Sequence, residues 1–366
     1  MNILLGVTGS VAAVKAYELA TKLQTLGEVR IVATKGGMFF LKKKQQEFAK
    51  IGVHIYIDED QWNENYQIGD EILHIELRKW ANCFVIAPLD ANTLAKISCG
   101  ICDNLLTDVF RAWDWIKPVF AVPAMNTHMW NNWPTKEQLK ILKNAFFRKF
   151  DVIEPVSKEL ACGDVGIGAM AHWNDIIQTV KGRLQWQFPL KKCSGIPINH
   201  HPGAFGFHRK KNHHTGVDLY CENESAVFAV EQGMVVKIDV FTGPKLGHDW
   251  WEETYAVMVE GASGVVNYGE ITPSKYLKVG DFVGKGDLIG HVKRVLFENK
   301  LRPDIPGHNT SMLHFEFYKH GCREFADWHN PSKNPDLLDP TQNLLNAKNA
   351  PLNTLTWDNA EEKVVG

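Results

Sequence analysis

The chain has 366 residues, of which 45% are hydrophobic and 22% charged, as in a soluble globular protein long enough for two domains. Forty basic and forty-two acidic residues give a formal net charge of −2, so overall charge offers no case for nucleic-acid binding. The seven cysteines are scattered, the start lacks signal-peptide features, and no apolar stretch approaches the ~20 residues of a membrane helix. These features predict a reduced, cytoplasmic protein without a membrane segment.

Residues 1–185 alternate short apolar runs with segments of helical periodicity. The runs predict strands at Ile3–Val7, Val29–Ala33, His54–Asp58, Cys83–Ala87, Pro118–Val122 and Asp151–Glu154. The periodic segments predict helices at Val11–Leu26, Lys35–Lys50, Asn92–Gly100 and Thr135–Arg148. Continuous apolar strands separated by helices favour an α/β fold, a doubly wound parallel sheet of the flavodoxin-like or Rossmann-like type. Ligands of such sheets bind beyond the carboxyl ends of the strands.

The texture of the sequence changes near residue 186, where helical periodicity disappears. Short strands are predicted at Val217–Tyr220, Gly233–Asp239, Thr254–Val259, Val265–Tyr268, Asp287–Val292 and Met312–Tyr318. Gly and Pro turns separate them, which indicates a mainly antiparallel β domain. We therefore predict a first domain over 1–185, a linker over 186–201, a β domain over 202–340 and a flexible tail over 341–366.

A turn of small residues follows the first predicted strand and includes Gly6, Gly9 and Ser10. Small residues there let backbone N–H groups and a helix N-terminus approach an anion such as phosphate. A tight strand-to-helix turn without any ligand explains this feature alone equally well.

Four further segments join polar or reactive residues to turn chemistry after a predicted strand. They are ILHIELRKWA around His74, Ala87–Asp114, PAMNTHMW at Pro123–Trp130 and ACGDVGIGAM at Ala161–Met170. Together they resemble the homo-oligomeric flavin-containing cysteine decarboxylases over nearly all of 1–185, and among these most closely the phosphopantothenoylcysteine decarboxylases. The resemblance implies FMN, a homotrimer or a multiple of it, and a small-molecule substrate. It also implies conversion of phosphopantothenoylcysteine to phosphopantetheine in coenzyme A biosynthesis.

The resemblance also implies roles for individual residues. His74 would be the catalytic acid/base, and its reference pKa of ~6.5 suits proton transfer near neutral pH. Asn126 would hold the substrate carboxylate, with Met125 and Ala161 beside the substrate. Cys162 would donate a proton in the final reduction, because a thiol is mostly protonated at neutral pH. The alternatives are a structural partly buried histidine, a turn-capping asparagine and a small buried cysteine.

The FMN contacts that the resemblance implies come from four loops: Gly9, Ser10, Val11, Thr34, Asp90, Ala91, Asn92, Thr93 and Ala124. Asp90 is acidic beside a predicted flavin, so we expect its side chain to point away from the phosphate. Glu159 stands where many relatives have Lys or Arg, which leaves substrate-phosphate contacts in its loop open.

The second domain carries His214 and Asp218 in an HxxxD pattern, with His314 far downstream. This pattern resembles the lysostaphin-type zinc peptidases over about 202–318. Neutral imidazoles and a carboxylate are suitable zinc ligands, and three of them with one open position describe a catalytic site. The resemblance implies that these three residues bind Zn2+.

Two positions depart from the peptidase pattern. Met312 and Glu270 stand where the family has catalytic histidines, and methionine cannot accept a proton. We therefore expect a metal-binding but inactive module, and a domain without zinc stays an alternative. An active zinc metallopeptidase and a flavin-binding regulatory subunit without decarboxylase activity are the other functions considered. Retention of His74, Asn126 and Cys162 favours the decarboxylase.

Overall fold

The computed structural model describes residues 1–61, 67–159, 165–209, 213–249, 251–297, 311–328, 330, 333–347 and 354–355. The chain divides into two compact units, Met1–Arg183 and Leu184–Gly366. Within the described ranges, no helix combines the length and the apolar character that crossing a membrane requires.

The first unit is built on a parallel sheet. Its strands, with those of one additional hairpin, are β1 (Asn2–Val7), β2 (Glu28–Ala33), β3 (Ile55–Tyr56), β4 (Cys83–Leu89), β5 (Val119–Pro123), β6 (Phe150–Val152), β7 (Val156–Glu159) and β8 (Val165–Ala169). The sheet has the order β3-β2-β1-β4-β5-β6, and all of its pairings are parallel. Strands β1 and β4 are almost entirely buried because helices cover both faces. The predicted doubly wound α/β fold is confirmed.

The α-helices of this unit are α1 (Ala16–Leu23), α2 (Lys35–Leu41), α3 (Gln45–Lys50), α4 (Asp58–Gln61), α5 (Leu73–Trp80), α6 (Ala91–Cys99), α7 (Leu105–Arg111), α8 (Thr127–Asn131), α9 (Trp133–Ala145) and α10 (Trp173–Leu184). The helix predicted over Val11–Leu26 begins with a 3₁₀ turn at Val11–Lys15. The one predicted over Lys35–Lys50 is divided by a 3₁₀ turn at Lys42–Lys44. Asp90 and Gly100 close the two ends of α6 as an N-cap and a left-handed C-terminal residue.

The second unit is a mainly antiparallel β domain. Its elements are β9 (Ile196–Pro197), β10 (Val217–Tyr220), β11 (Ala226–Phe228), β12 (Gly233–Thr242), β13 (Thr254–Gly261), β14 (Val265–Pro273), β15 (Phe282–Val283), β16 (Leu288–Val292), β17 (Met312–Tyr318), β18 (Leu337–Leu338), α11 (Thr341–Asn346) and β19 (Thr354–Leu355). Strands β10, β17, β14, β13, β12 and β15 are neighbours in that order, and all of these pairings are antiparallel. The predicted second fold class is therefore also confirmed.

The structure differs from the predicted linker and tail. Within the predicted linker over 186–201, Trp186, Leu190 and Ile196 are buried in the apolar core of the second unit. In the predicted tail over 341–366, α11 forms and Leu344 is fully buried in the same core. The described parts of these segments pack on the domain because their few apolar side chains cover the β sheet, which outweighs their Pro-rich or polar composition.

Candidate active site and metal centre

The predicted cofactor loops meet where the strand order reverses. Strand β1 lies between β2 and β4, so the loops after β1 and β4 leave the sheet side by side. Asp90 joins them: its Oδ2 accepts the N–H of Gly9 at 2.9 Å, and its Oδ1 accepts the N–H of Thr93 at 2.6 Å. The Asp90 carboxylate is thus directed to backbone donors of its own and the neighbouring loop.

The loop after β2 completes this edge of the sheet. Thr34 caps α2 by accepting the N–H of Gly37 at 3.1 Å. A Cβ added to Gly36 would lie 2.9 Å from the Cα of Gly9, so only glycine permits this approach of the two loops. Ala124, after β5, is buried and donates its N–H to the Leu89 carbonyl.

This edge fits a flavin mononucleotide in its chemistry. The nine predicted contact residues all follow the carboxyl ends of β1, β2, β4 and β5, the edge at which ligands of doubly wound sheets bind. The expectation that the Gly9 N–H would face a phosphate changes, because this N–H donates to Asp90. Gly9 would instead permit close approach of a ligand because it has no side chain.

His74 lies in the first turn of α5 and is half-buried. Its Nδ1 is 2.9 Å from Oε1 of Gln61, and Nε2 of Gln61 donates to Oδ2 of Asp108 at 2.7 Å. The Asp108 carboxylate can only accept a hydrogen bond, so it must face the amide nitrogen of Gln61, and the amide oxygen of Gln61 must face His74. Nδ1 of His74 therefore carries the proton, and Nε2 is left to exchange one with a ligand.

Asn126 begins the short helix α8, and its Oδ1 accepts the N–H of His128 at 2.8 Å. The capping role that we considered as an alternative is thus present. The preceding residue, Met125, donates its N–H to Gly168 of β8 at 2.9 Å. Gly168 has φ +145°, and a Cβ there would lie 2.3 Å from the Met125 carbonyl. The β7–β8 hairpin is therefore packed directly against the Asn126 turn.

Two predicted residues, Ala161 and Cys162, lie outside the described residues. The chain that carries them connects β7 to β8, the strand that contacts the Asn126 turn. Glu159, the last residue of β7, is exposed.

The three predicted metal ligands of the second unit converge. His214 Nε2 is 3.0 Å from Asp218 Oδ1, and His314 Nδ1 is 2.8 Å from the same oxygen. The three candidate ligand atoms lie within 4.8 Å of one another, and all three residues are buried. Asp218 and His314 are direct partners in the β10–β17 pair, which brings together residues 96 positions apart.

Outer partners fix which nitrogen of each imidazole faces the centre. His214 Nδ1 donates to the Ala204 carbonyl at 2.8 Å, so Nε2 is left with a lone pair. His314 Nε2 is 3.2 Å from Oε1 of Glu316, which directs Nδ1 to the centre. Such carboxylate or carbonyl partners are typical behind zinc-bound histidines. The donor set fits a zinc ion.

Charge around this centre is concentrated and buried. Burial lowers the pKa of His214. Burial alone would also lower the pKa of His314, but hydrogen bonds with Asp218 and Glu316 raise it to about 10. The two histidines hold the pKa of Asp218 well below its usual range against the effect of burial. Burial, followed by repulsion from Asp218, raises the pKa of Glu270 to about 8.

Several polar partners were missed in the sequence. Gln61 offers no motif, and only its contact with His74 reveals it. Arg209 donates to Oδ2 of Asp218 at 2.8 Å from a loop without a regular pattern. Glu316 had a signal: it lies two residues after His314 on the same strand face, and Asn267 also donates to it at 2.7 Å.

Comparison with known proteins agrees with both halves. The family model described as Flavoprotein matches residues 1–185, and that of peptidase family M23 matches residues 212–325. A phosphopantothenoylcysteine decarboxylase of Arabidopsis thaliana is 50% identical over 196 residues, which are 53% of this chain and 89% of the relative.

Two solved structures align with about half of the chain. A PPC decarboxylase mutant complexed with pantothenoylaminoethenethiol is 49% identical, with a TM-score of 0.46 and coverage of 49% of this chain and 96% of that one. The FMN binding protein AtHal3 is 48% identical, with a TM-score of 0.44 and coverage of 49% and 94%.

The chain therefore belongs to the flavoprotein family through residues 1–185. More particularly, this part is a domain of the phosphopantothenoylcysteine decarboxylase type, and the second unit carries a peptidase family M23 domain of the lysostaphin (LytM-like) type. Both predicted resemblances are confirmed.

Proposed function

We propose that residues 1–185 decarboxylate phosphopantothenoylcysteine to phosphopantetheine with FMN as cofactor. The observation that carries this proposal is the polar chain from Asp108 through Gln61 to His74, which fixes the tautomer of a half-buried histidine. A flavin-binding regulatory role requires no such arrangement. The similarity to decarboxylases over 1–185 supports the same reaction.

FMN would supply reversible hydride transfer at the carbon bearing sulfur, which allows the electrons left by carbon dioxide to be held as an enethiolate. The residues around it would bind, orient and move protons. Nε2 of His74 would exchange a proton with the substrate, and the Asn126 amide would hold the substrate carboxylate beside Met125 and Ala161. Cys162 would protonate the enethiol carbon during the final reduction.

The proposed cofactor residues are Gly9, Ser10, Val11, Thr34, Asp90, Ala91, Asn92, Thr93 and Ala124. These loops would hold a cofactor with a single phosphate, and we therefore propose FMN rather than a dinucleotide. The test is direct: the purified chain should be yellow, and denaturation should release FMN and no FAD. Incubation with phosphopantothenoylcysteine should release carbon dioxide and give phosphopantetheine by mass spectrometry. A flavin-loaded protein that leaves the substrate unchanged would favour the regulatory role.

We also propose a homotrimer or a multiple of it. Three apolar side chains are exposed beside the cofactor loops: Val11 at 53%, Val14 at 50% and Phe39 at 77%. Exposed apolar groups on neighbouring elements, here α2 and the 3₁₀ turn at Val11–Lys15, are typical of surfaces covered in an assembly. Light scattering of the full chain should give a mass of three subunits or a multiple, and Phe39→Asp should reduce it. A monomer that retains FMN would contradict the assembly.

For the second unit we propose that His214, Asp218 and His314 bind one zinc ion without supporting peptide hydrolysis. The converging lone pairs support metal binding. Hydrolysis is not expected, because Met312 stands on the strand face of His314 where the peptidase pattern has a proton-transfer histidine. Metal analysis should find one zinc per chain. Cleavage of glycine-rich or cell-wall peptides by the unaltered protein would contradict the inactive module.

A further inference from the structure

Glu270 occupies an irregular position in β14, the strand Val265–Pro273. Tyr268 is paired with Val257 of β13, and Ile271 is paired with Tyr255. The two residues Gly269 and Glu270 therefore lie opposite a single residue of β13. Glu270 also has φ +60°, a left-handed conformation that is uncommon outside glycine. This arrangement is a β-bulge, a device that re-aims a side chain next to a functional site.

The bulge changes the face on which Glu270 lies. Gly269 is the direct partner of His314 on β17, so the side chain of His314 projects on the face to which Gly269 belongs. Regular alternation would place Glu270 on the opposite face with Tyr268, a buried member of the apolar core. The charged groups that act on Glu270 are instead Asp218, His314, Arg209 and Glu316, which are the metal centre and its partners.

The Glu270 carboxylate is buried and incompletely partnered. Glu270 is only 5% exposed, and its Oε2 has no hydrogen-bond partner among the described residues. A buried, unpartnered carboxylate oxygen is costly unless a cation or donor completes it. The bulge turns this side chain toward the sheet face that carries His314 and its direct partner Asp218, two of the three converging metal ligands.

We infer that Glu270, whose carboxylate is not among the ligand atoms within 4.8 Å of one another, turns into the centre when an ion binds and closes it as a fourth protein ligand beside His214, Asp218 and His314. Four protein ligands are typical of structural zinc sites, whereas a catalytic zinc needs an open position for water. The two carboxylates would neutralise the charge of Zn2+ in a buried site. This inference rests on the proposed zinc binding and explains why the domain would not hydrolyse peptides.

The experiment uses the full chain, freed of metal by a chelator and reloaded with Zn2+ or Co2+. Glu270→Ala should weaken zinc binding at least tenfold in competition with a chromophoric chelator, since even loss of an outer partner costs 10–100-fold. Azide should leave the visible spectrum of the Co2+ protein unchanged and should alter that of Glu270→Ala, where a coordination position opens. Glu231→Gln, at another buried glutamate of this unit, is the control and should behave as the unaltered protein.

Glu270→Gln keeps the size of the side chain and serves if the alanine variant does not fold; it should also weaken zinc binding. Unchanged zinc affinity in both variants, or an azide response of the unaltered Co2+ protein, would overturn the four-ligand centre while leaving zinc binding intact. Absence of zinc from the unaltered protein after reloading would instead refute the proposed metal site itself.

Discussion

The two units place their reactive side chains in opposite surroundings. In the first unit, His74 and Asn126 are half-buried on helices and turns beyond the carboxyl edge of the sheet. In the second, His214, Asp218 and His314 have 4%, 2% and 3% exposure, and two of them lie on neighbouring strands in the sheet. The side chains of the first arrangement are partly exposed to solvent. Those of the second are almost completely enclosed by the described residues.

The difference also appears in how each site is stabilised. The first uses helix caps and backbone donors, such as the contacts of Asp90 with Gly9 and Thr93. The second places several carboxylates and imidazoles within a few ångströms, where removal of one partner leaves buried charge uncompensated. A substitution in the first site should therefore change turnover with little loss of stability, whereas one in the second should change both metal binding and stability.

The largest expected effect is on turnover in the first unit. His74→Asn should reduce formation of phosphopantetheine by about 10²–10⁴-fold, because it removes the proton-transfer group. FMN content and zinc content should stay unchanged. The measurement is the rate of carbon dioxide release from phosphopantothenoylcysteine, with His172→Asn, an exposed histidine of the same unit, as control. Turnover of His74→Asn at the unaltered rate would remove the basis of its role.

A second substitution separates the steps of the reaction. Cys162→Ser should still release carbon dioxide but should accumulate the enethiol, because a hydroxyl is a far weaker acid than a thiol. Mass spectrometry would detect the intermediate as a species two mass units lighter than phosphopantetheine. If the product forms as rapidly as in the unaltered protein, another group donates that proton.

The next effect tests independence of the two units. Asp218→Ala should weaken zinc binding more than 100-fold, because it removes a ligand that both His214 and His314 contact. Decarboxylation by the first unit should change less than twofold. Zinc affinity is measured by chelator competition, and Asp239→Ala, on an exposed part of β12, is the control. An equal loss of decarboxylation would show that the two sites are coupled.

Much of this could be predicted from the sequence, for physical reasons. Buried parallel strands leave long apolar runs, and loops that carry Gly, Asn and Asp mark the carboxyl edge of the sheet. The HxxxD spacing identified His214 and Asp218, two of the three side chains that converge in the second unit. Contacts between distant residues could not be predicted: Gln61 meets His74 only in the folded chain. The bulge at Glu270 is likewise invisible in the sequence of β14, as is the burial of Trp186 in that of the predicted linker.

A smaller effect is expected for the residue that orients His74. Gln61→Leu should lower kcat about tenfold, because the tautomer and position of His74 are no longer fixed, while KM should stay within twofold. Gln67→Leu, at an exposed glutamine six residues later, is the control. A loss confined to KM would place Gln61 in substrate binding instead.

The smallest expected effect is at Met312. Met312→His restores a histidine on the strand face of His314, two residues away, and so returns the peptidase pattern at that position. If the metal centre is closed by four protein ligands, a restored base has no metal-bound water to activate, and the variant should cleave no glycine-rich peptide. Its zinc affinity should stay within about threefold of the unaltered protein, because the substitution removes none of the proposed ligands. The double variant Met312→His/Glu270→Ala is the matched comparison, since it restores the histidine and opens a position together. Peptide cleavage by Met312→His alone would show that an open position already exists, and that the missing histidine, rather than closure by Glu270, is what keeps this domain inactive.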